Sequence, residues 1–146
     1  MIEKRAENIM ILEEENYQRT MKRDVEPYLR SYEKDGYIES YDKTAIYYRT
    51  YRIPQAKAGI VISHGFCEFA EKYKEVIYYF LKNGYSVYVP EHRGHGYSDR
   101  IVVEGEKVHI EDYEQYVQDL HCFVKNVVEL TEKRKILFCH SMGGAI

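Results

Sequence analysis

Residues Gly59-Ile60-Val61-Ile62-Ser63 form a short, wholly apolar run, the mark of a strand covered on both faces in a parallel sheet. Two comparable runs follow, Ser86-Val87-Tyr88-Val89, closed by Pro90, and Lys135-Ile136-Leu137-Phe138-Cys139. Parallel strands need long crossovers, and amphipathic stretches supply them. Tyr73, Val76, Ile77, Phe80 and Leu81 recur at helical spacing, with Gly84 as the C-terminal stop. After a Gly-containing loop over 92–106, Tyr113, Tyr116, Val117, Leu120, Val124, Val127 and Val128 mark one side of a second helix. Upstream, Tyr37-Ile38-Glu39-Ser40-Tyr41 and Ala45-Ile46-Tyr47-Tyr48-Arg49-Thr50-Tyr51 flank a polar turn at Asp42-Lys43, which predicts a hairpin with Ile46, Tyr48 and Thr50 on one face. The predicted order is β-β-β-α-β-α-β-(α). That is an α/β fold: a mostly parallel sheet with an antiparallel opening hairpin and helices on both faces.

The 146 residues make one domain's length. Residues 1–30 are charged, with Ile9, Ile11, Leu12, Tyr17 and Met21 as apolar positions, and predict a peripheral helical segment ahead of a core over 31–146. With 45% hydrophobic and 31% charged residues, the chain has the composition of a folded domain rather than a disordered one. A formal net charge of -3 speaks against a nucleic-acid-binding surface, which needs a basic excess. No apolar run approaches the roughly 20 residues that span a bilayer. The N-terminus lacks the apolar core of a secretory signal, so a cytoplasmic chain is expected. Cys67, Cys122 and Cys139, odd in number and irregular in spacing, fit reduced thiols better than a disulfide framework. The 16 tyrosines are read as half-buried strand and helix faces.

Three segments carry chemistry, and each begins where a predicted strand ends. The run Cys139-His140-Ser141-Met142-Gly143-Gly144, leading into Ala145-Ile146, has the strand–turn–helix context of a nucleophile elbow. Such a turn is tight, so the residues two before and two after the nucleophile must be small. Gly143 meets that need fully and Cys139 approximately. A serine at Ser141 would point its Oγ out of the sheet, close to backbone N–H groups that stabilise an oxyanion. The bland alternative is a plain strand-to-helix turn rich in small residues. The second segment, His64-Gly65-Phe66-Cys67-Glu68, follows the third strand, where a hydrolase of this type places the other half of its oxyanion hole; alone, a His-Gly pair is a loop glycine. The third, Glu91-His92-Arg93-Gly94-His95-Gly96-Tyr97-Ser98, fails as a nucleotide fingerprint because Asp99 stands where a third Gly is required. His92 and His95 lack a matching ligand pair for zinc. Tight turning at the glycines and loop-holding by Arg93, His95 and Ser98 is the better reading.

In their order and spacing these segments resemble the α/β-hydrolase superfamily, in the branch of monoacylglycerol lipases and bacterial lysophospholipases (the serine aminopeptidase S33-like, or hydrolase 4, group), over roughly residues 30 to 146. The resemblance implies a serine hydrolase of monoacylglycerol- or lysophospholipid-like carboxylic esters, working through an acyl-enzyme at Ser141. The backbone N–H groups of Phe66 and Met142 would form the oxyanion hole. His64, Gly65, Arg93, Gly94, His95, Gly96, Ser98, His140 and Gly143 would support the elbow and its loops, with no metal and no organic cofactor. Cys139 departs from the family's usual Gly or Ala, and Glu91 stands where Asp is common. In the family the catalytic acid and histidine follow the elbow, as do the lid and the last strands. The expectation is therefore an N-terminal portion ending at the elbow, inactive alone, in which no resident histidine completes a triad. The family's sheet order places the strand at 135–139 beside that at 59–63. The implied partner is a small lipid ester, with transient membrane-surface contact through the lid and no nucleic acid. Two alternatives stay open: a non-catalytic remnant or acyl-binding module, or another chemistry on the same fold, such as acyl transfer, peptide hydrolysis or carbon–carbon hydrolysis.

Overall fold

The computed structural model describes residues 11–102 and 107–146. Five strands, β1 (Glu33–Glu39), β2 (Ala45–Tyr51), β3 (Gly59–Ser63), β4 (Ser86–Pro90) and β5 (Lys135–Cys139), form one mixed sheet in the order β1-β2-β4-β3-β5. β1 and β2 pair antiparallel with Glu33 opposite Tyr51 and Glu39 opposite Ala45, and β2 pairs antiparallel with β4. β3 runs parallel to both β4 and β5, with Ser63 opposite Cys139. The chain therefore has the partial α/β-hydrolase fold, and 135–139 lies beside 59–63.

Strand alternation sends side chains to both faces. Ile60, Ile62, Val87 and Val89 meet Val25, Leu29, Ile77 and Leu81 on one face, under helix α2 (Glu26–Arg30), which follows the short helix α1 (Tyr17–Thr20), and helix α3 (Lys74–Lys82). Val61 and Tyr88 face the other way, onto Phe123 and Val128 from α4 (Glu114–Phe123) and the π-helical turn Val124–Val128 that continues it. This covering on two faces explains why β3 and β4 are buried throughout.

Three features differ from the sequence reading. The first strand starts at Glu33 rather than Tyr37, and Ser40 and Tyr41 lie outside it. Its charged stretch Glu33-Lys34-Asp35 reads as loop, but β1 is an edge strand, where charged side chains face solvent without penalty. Upstream, the expected apolar position Ile9 lies outside the described residues. Within them, a helical run of short α-, 3₁₀- and π-segments extends from Glu14 to Arg30 and plants Val25 and Leu29 in the core. The sequence reading stops at Met21; Val25 and Leu29 follow it at i+4 and i+8, at the end of the π-helical turn Met21–Val25 and beyond it. The third difference is β5. Its apolar run is read as buried, yet Ile136, Leu137 and Phe138 are 45%, 53% and 37% exposed, because β5 pairs with β3 alone among the described residues.

Because β3, β4 and β5 are parallel, their C-terminal ends open on one edge of the sheet. The segments beginning at His64, Glu91 and His140 all leave from that edge, which is where open α/β sheets place their ligands.

Candidate active site

The turn after β5 carries Ser141. The His140 N–H donates to the Ser63 carbonyl at 3.1 Å, which extends the β3–β5 pairing by one residue. Ser141 then takes φ = +51°, left-handed backbone that costs a serine about 1–3 kcal/mol and persists only where its surroundings impose it. A single 3₁₀ turn, Ser141–Gly144, follows, with the Gly143 N–H donating to the His140 carbonyl at 3.0 Å. A Cβ on Gly143 would lie 2.1 Å from the Ser63 carbonyl oxygen and 2.6 Å from that of His64. The turn thus rests directly on the backbone leaving β3. Cys139 ends β5 with its thiol pushed up by burial. Among the described residues, the Met142 N–H has no hydrogen-bond partner.

The segment leaving β3 is organised around two side chains. His64 is fully buried; its Nε2 accepts from the His92 N–H at 2.9 Å, so its proton sits on Nδ1, which donates to the Gly65 carbonyl at 2.8 Å. Burial pushes its pKa down to about 4, leaving a neutral ring. Glu68 turns back to accept from the Gly65 N–H at 2.8 Å and the Tyr73 hydroxyl at 2.5 Å. Between them, Cys67 takes φ = +56°. The Phe66 side chain is exposed, edge-on to His95 with ring centroids 5.6 Å apart, and its N–H is unpartnered among the described residues.

The segment leaving β4 is tied down at nearly every polar atom. Glu91 is fully buried, accepting from the Ala70 N–H at 3.0 Å and the Tyr97 N–H at 2.7 Å. Gly94 and Gly96 both have positive φ, +77° and +51°. Arg93 forks onto Asp119, with Nε and Nη2 each at 2.6 Å, and reaches Asp42 at 2.9 Å; Ser40 Oγ completes the cluster by donating to Asp119 at 2.5 Å. Ser98 Oγ donates to the Glu91 carbonyl and accepts from the Tyr47 N–H. His92 Nε2 lies 3.2 Å from Ser63 Oγ. His95 Nδ1 lies 3.1 Å from the Arg93 carbonyl, and its buried Nε2 has no partner among the described residues. Arg93, His95 and Ser98 therefore sit within the packing of this loop, while Ser141 stands at the neighbouring strand end.

No side chain among the described residues hydrogen-bonds Ser141 Oγ. The four histidines at this edge are turned elsewhere: His140 Nδ1 to Glu68 at 3.0 Å, and His64, His92 and His95 to the contacts above. Among the described residues no group of three His, Cys, Asp or Glu side chains is arranged to hold a metal ion. Two structural carboxylates escape the sequence reading. Asp119 lies on the buried side of α4 between Tyr116 and Phe123, where a carboxylate signals a buried cation partner. Glu68 is quoted within its motif but carries no visible role until its three partners are seen.

The sequence matches the family model described as serine aminopeptidase, S33, over residues 54–146. It is 36% identical to lysophospholipase L2 of Escherichia coli (strain K12) over 88 residues, 60% of this chain and 26% of that protein. It is 35% identical to monoacylglycerol lipase of Mycolicibacterium smegmatis over 88 residues, 60% of this chain and 30% of that one. A soluble variant of the monoglyceride lipase of Saccharomyces cerevisiae, solved with a substrate analogue, shares the fold with a TM-score of 0.62 and 24% identity, over 77% of this chain and 36% of that one. The chain thus spans about a quarter to a third of the length of these relatives.

Proposed function

The chain belongs to the serine aminopeptidase S33 family of α/β hydrolases, in the lysophospholipase and monoacylglycerol lipase-like branch, and on that premise we propose that it supplies the nucleophile and oxyanion hole of a serine hydrolase of lipid carboxylic esters. One observation carries this reading. Ser141, and not a glycine, occupies a left-handed position at the end of a parallel strand, on a turn seated against the backbone of the His64-Gly65 segment.

In the proposed reaction Ser141 Oγ attacks the ester carbonyl carbon while its proton passes to a base. The carbonyl oxygen becomes an oxyanion, which the N–H groups of Phe66 and Met142 receive; that both lack another partner supports the assignment. Collapse breaks the bond to the alkoxy oxygen, which leaves as the alcohol with the base's proton. Water then attacks the acyl-enzyme, returning the acid and the free serine. Among the described residues none of the four histidines at this edge hydrogen-bonds Ser141 Oγ, which supports a base and an acid contributed by residues beyond Ile146. The substrate class, a monoacylglycerol- or lysophospholipid-like ester, follows from the relatives' names. The family's own description favours a second reading, hydrolysis of an N-terminal peptide bond by the same serine.

The test is to treat the protein at its natural length with a fluorophosphonate probe and map the adduct by mass spectrometry, alongside turnover of lysophospholipid, monoacylglycerol and aminoacyl-amide substrates. Adduct on Ser141, ester turnover and its loss in Ser141→Ala are expected. Labelling elsewhere, or full turnover by Ser141→Ala, overturns the nucleophile; amide turnover alone moves the assignment to the peptidase.

A further inference from the structure

One carboxylate oxygen joins three elements at the strand edge. Glu68 Oε2 accepts from the Gly65 N–H at 2.8 Å, the Tyr73 hydroxyl at 2.5 Å and His140 Nδ1 at 3.0 Å. An ionised carboxylate only accepts, so Nδ1 carries the proton of the His140 ring. Gly65 immediately precedes Phe66, and His140 stands two residues before Met142. Among the described residues, the Glu68–His140 contact is the one hydrogen bond between residues 65–68 and residues 140–144. The backbone tie between His140 and Ser63 holds the strand ends, but past Gly65 the loop's other bonds, from the Glu68 N–H to the Gly65 carbonyl at 3.3 Å, from Lys72 Nζ to the Cys67 carbonyl at 3.4 Å and from the Tyr73 hydroxyl to Glu68, do not reach the turn.

We propose that Glu68 is a positioning residue that sets the spacing between the Phe66 and Met142 N–H groups, by fastening the loop that carries one to the turn that carries the other. The proposal rests on the reading of Ser141 as nucleophile. Two further features fit it. Burial raises the Glu68 carboxyl, but hydrogen bonds from Tyr73, His140 and Gly65 outweigh it and hold the group at about 2, so the anion persists at neutral pH. A Cβ on Gly65 would sit 2.9 Å from both Glu68 Oε2 and His140 Nδ1, so the absence of a side chain at Gly65 is what lets the carboxylate and imidazole meet above the loop. Oxyanion donors work only when aimed where charge develops, and a misplacement of about 1 Å costs on the order of 100-fold.

The experiment compares Glu68→Ala, Glu68→Gln and His140→Phe with the parent at its natural length, using matched oxygen and thiono esters. A thiono sulfur is a poor oxyanion-hole acceptor, so the oxygen-over-sulfur preference in kcat reports donor placement, which a merely structural carboxylate would not move. Glu68→Ala should lower kcat about 100-fold with KM within about twofold, and shrink the oxygen preference. Glu68→Gln, whose amide oxygen still accepts from Gly65, should lose about tenfold. His140→Phe cuts only one arm and serves if Glu68→Ala does not fold; it should show the same fall in oxygen preference. A folded variant with unchanged kcat, or with lower kcat and an unchanged oxygen preference, overturns the role of Glu68. Ser141→Ala is run in parallel: its retained activity would overturn the nucleophile, whereas its inactivity beside an unimpaired Glu68→Ala would overturn the positioning role alone.

Discussion

A Cβ on Gly143 would stand 2.1 Å from the carbonyl oxygen of Ser63, closer than any side chain can approach backbone. The turn behind Ser141 is therefore seated on β3 without an intervening side chain, and the height of the serine above the sheet follows from that seating. Gly143→Ala forces the turn away. It should cost about 1–3 kcal/mol of stability, the usual penalty of overpacking. Ester turnover should fall by about 100-fold, as expected when a nucleophile is displaced by about 1 Å. Urea unfolding and steady-state kinetics measure the two effects, and an unperturbed turnover would mean that the seating does not place Ser141.

The loop that follows β4 hangs on a buried charge pair. Arg93 is 4% exposed and Asp119 2%, and the two are joined in a fork with both distances at 2.6 Å. Removing one member leaves the other charged in a dry site, a loss of about 3–5 kcal/mol, although the second contact of Arg93 to Asp42 places this case at the lower end. Asp119→Ala is accordingly expected to unfold at much lower urea, and the double change Arg93→Met with Asp119→Leu to recover much of that loss. Equal midpoints for Asp119→Ala and the parent would show that the fork adds nothing.

What the sequence makes legible is set by periodicity and by backbone demand. The run 59–63 and the alternating helices reveal an α/β sheet because burial on two faces leaves no polar position to confuse the reading. Ser141 is legible because few local structures other than a tight turn place a glycine two residues after a serine at a strand end, and it is found with φ = +51°. Asp119 and Glu68 are opaque for the opposite reason. Asp119 pairs with Arg93, 26 residues away, and the tie that gives Glu68 its place at the elbow is to His140, 72 away; no local pattern encodes such pairings. Phe123 and Val128 are anchors of one core face; the sequence reading includes Val128 and omits Phe123, although Phe123 follows Tyr116 and Leu120 at helical spacing.

Three imidazoles lie together in the packing at the strand ends, His64 and His92 with ring centroids 4.2 Å apart and His95 5.2 Å from His64. Burial lowers the pKa of each, that of His64 to about 4. Depressed histidines bind fewer protons folded than unfolded, so stability is complete above the unfolded value near 6.5 and drains as pH falls from there toward 4. For His64 alone the full loss is about 3 kcal/mol. Glu68 and Asp42, both held near 2, withdraw their share only at lower pH. Urea midpoints should therefore drop between pH 7 and pH 5, before the carboxylates titrate. A flat profile over that window would mean that the imidazoles are not buried neutral.

The last prediction concerns the 146-residue chain by itself. β5 uses one edge to pair with β3, and its other edge is unpaired among the described residues, with Ile136, Leu137 and Phe138 partly exposed. Most edge strands carry protection in the form of charges, prolines or bulges. β1 has it in Glu33, Lys34 and Asp35; β5 has only Lys135, at its first position. Unpaired N–H and C=O groups beside an apolar run invite another strand, and apolar burial adds about 25 cal/mol per Å². The chain expressed alone should therefore self-associate through β5. Leu137→Lys, placed mid-strand on an exposed side chain, should reduce the association by repelling its counterpart in a second copy. Size-exclusion chromatography with light scattering, run over a concentration series, reads the outcome. A monomer at all concentrations, or an association that Leu137→Lys leaves untouched, would show that this edge is not the adhesive one.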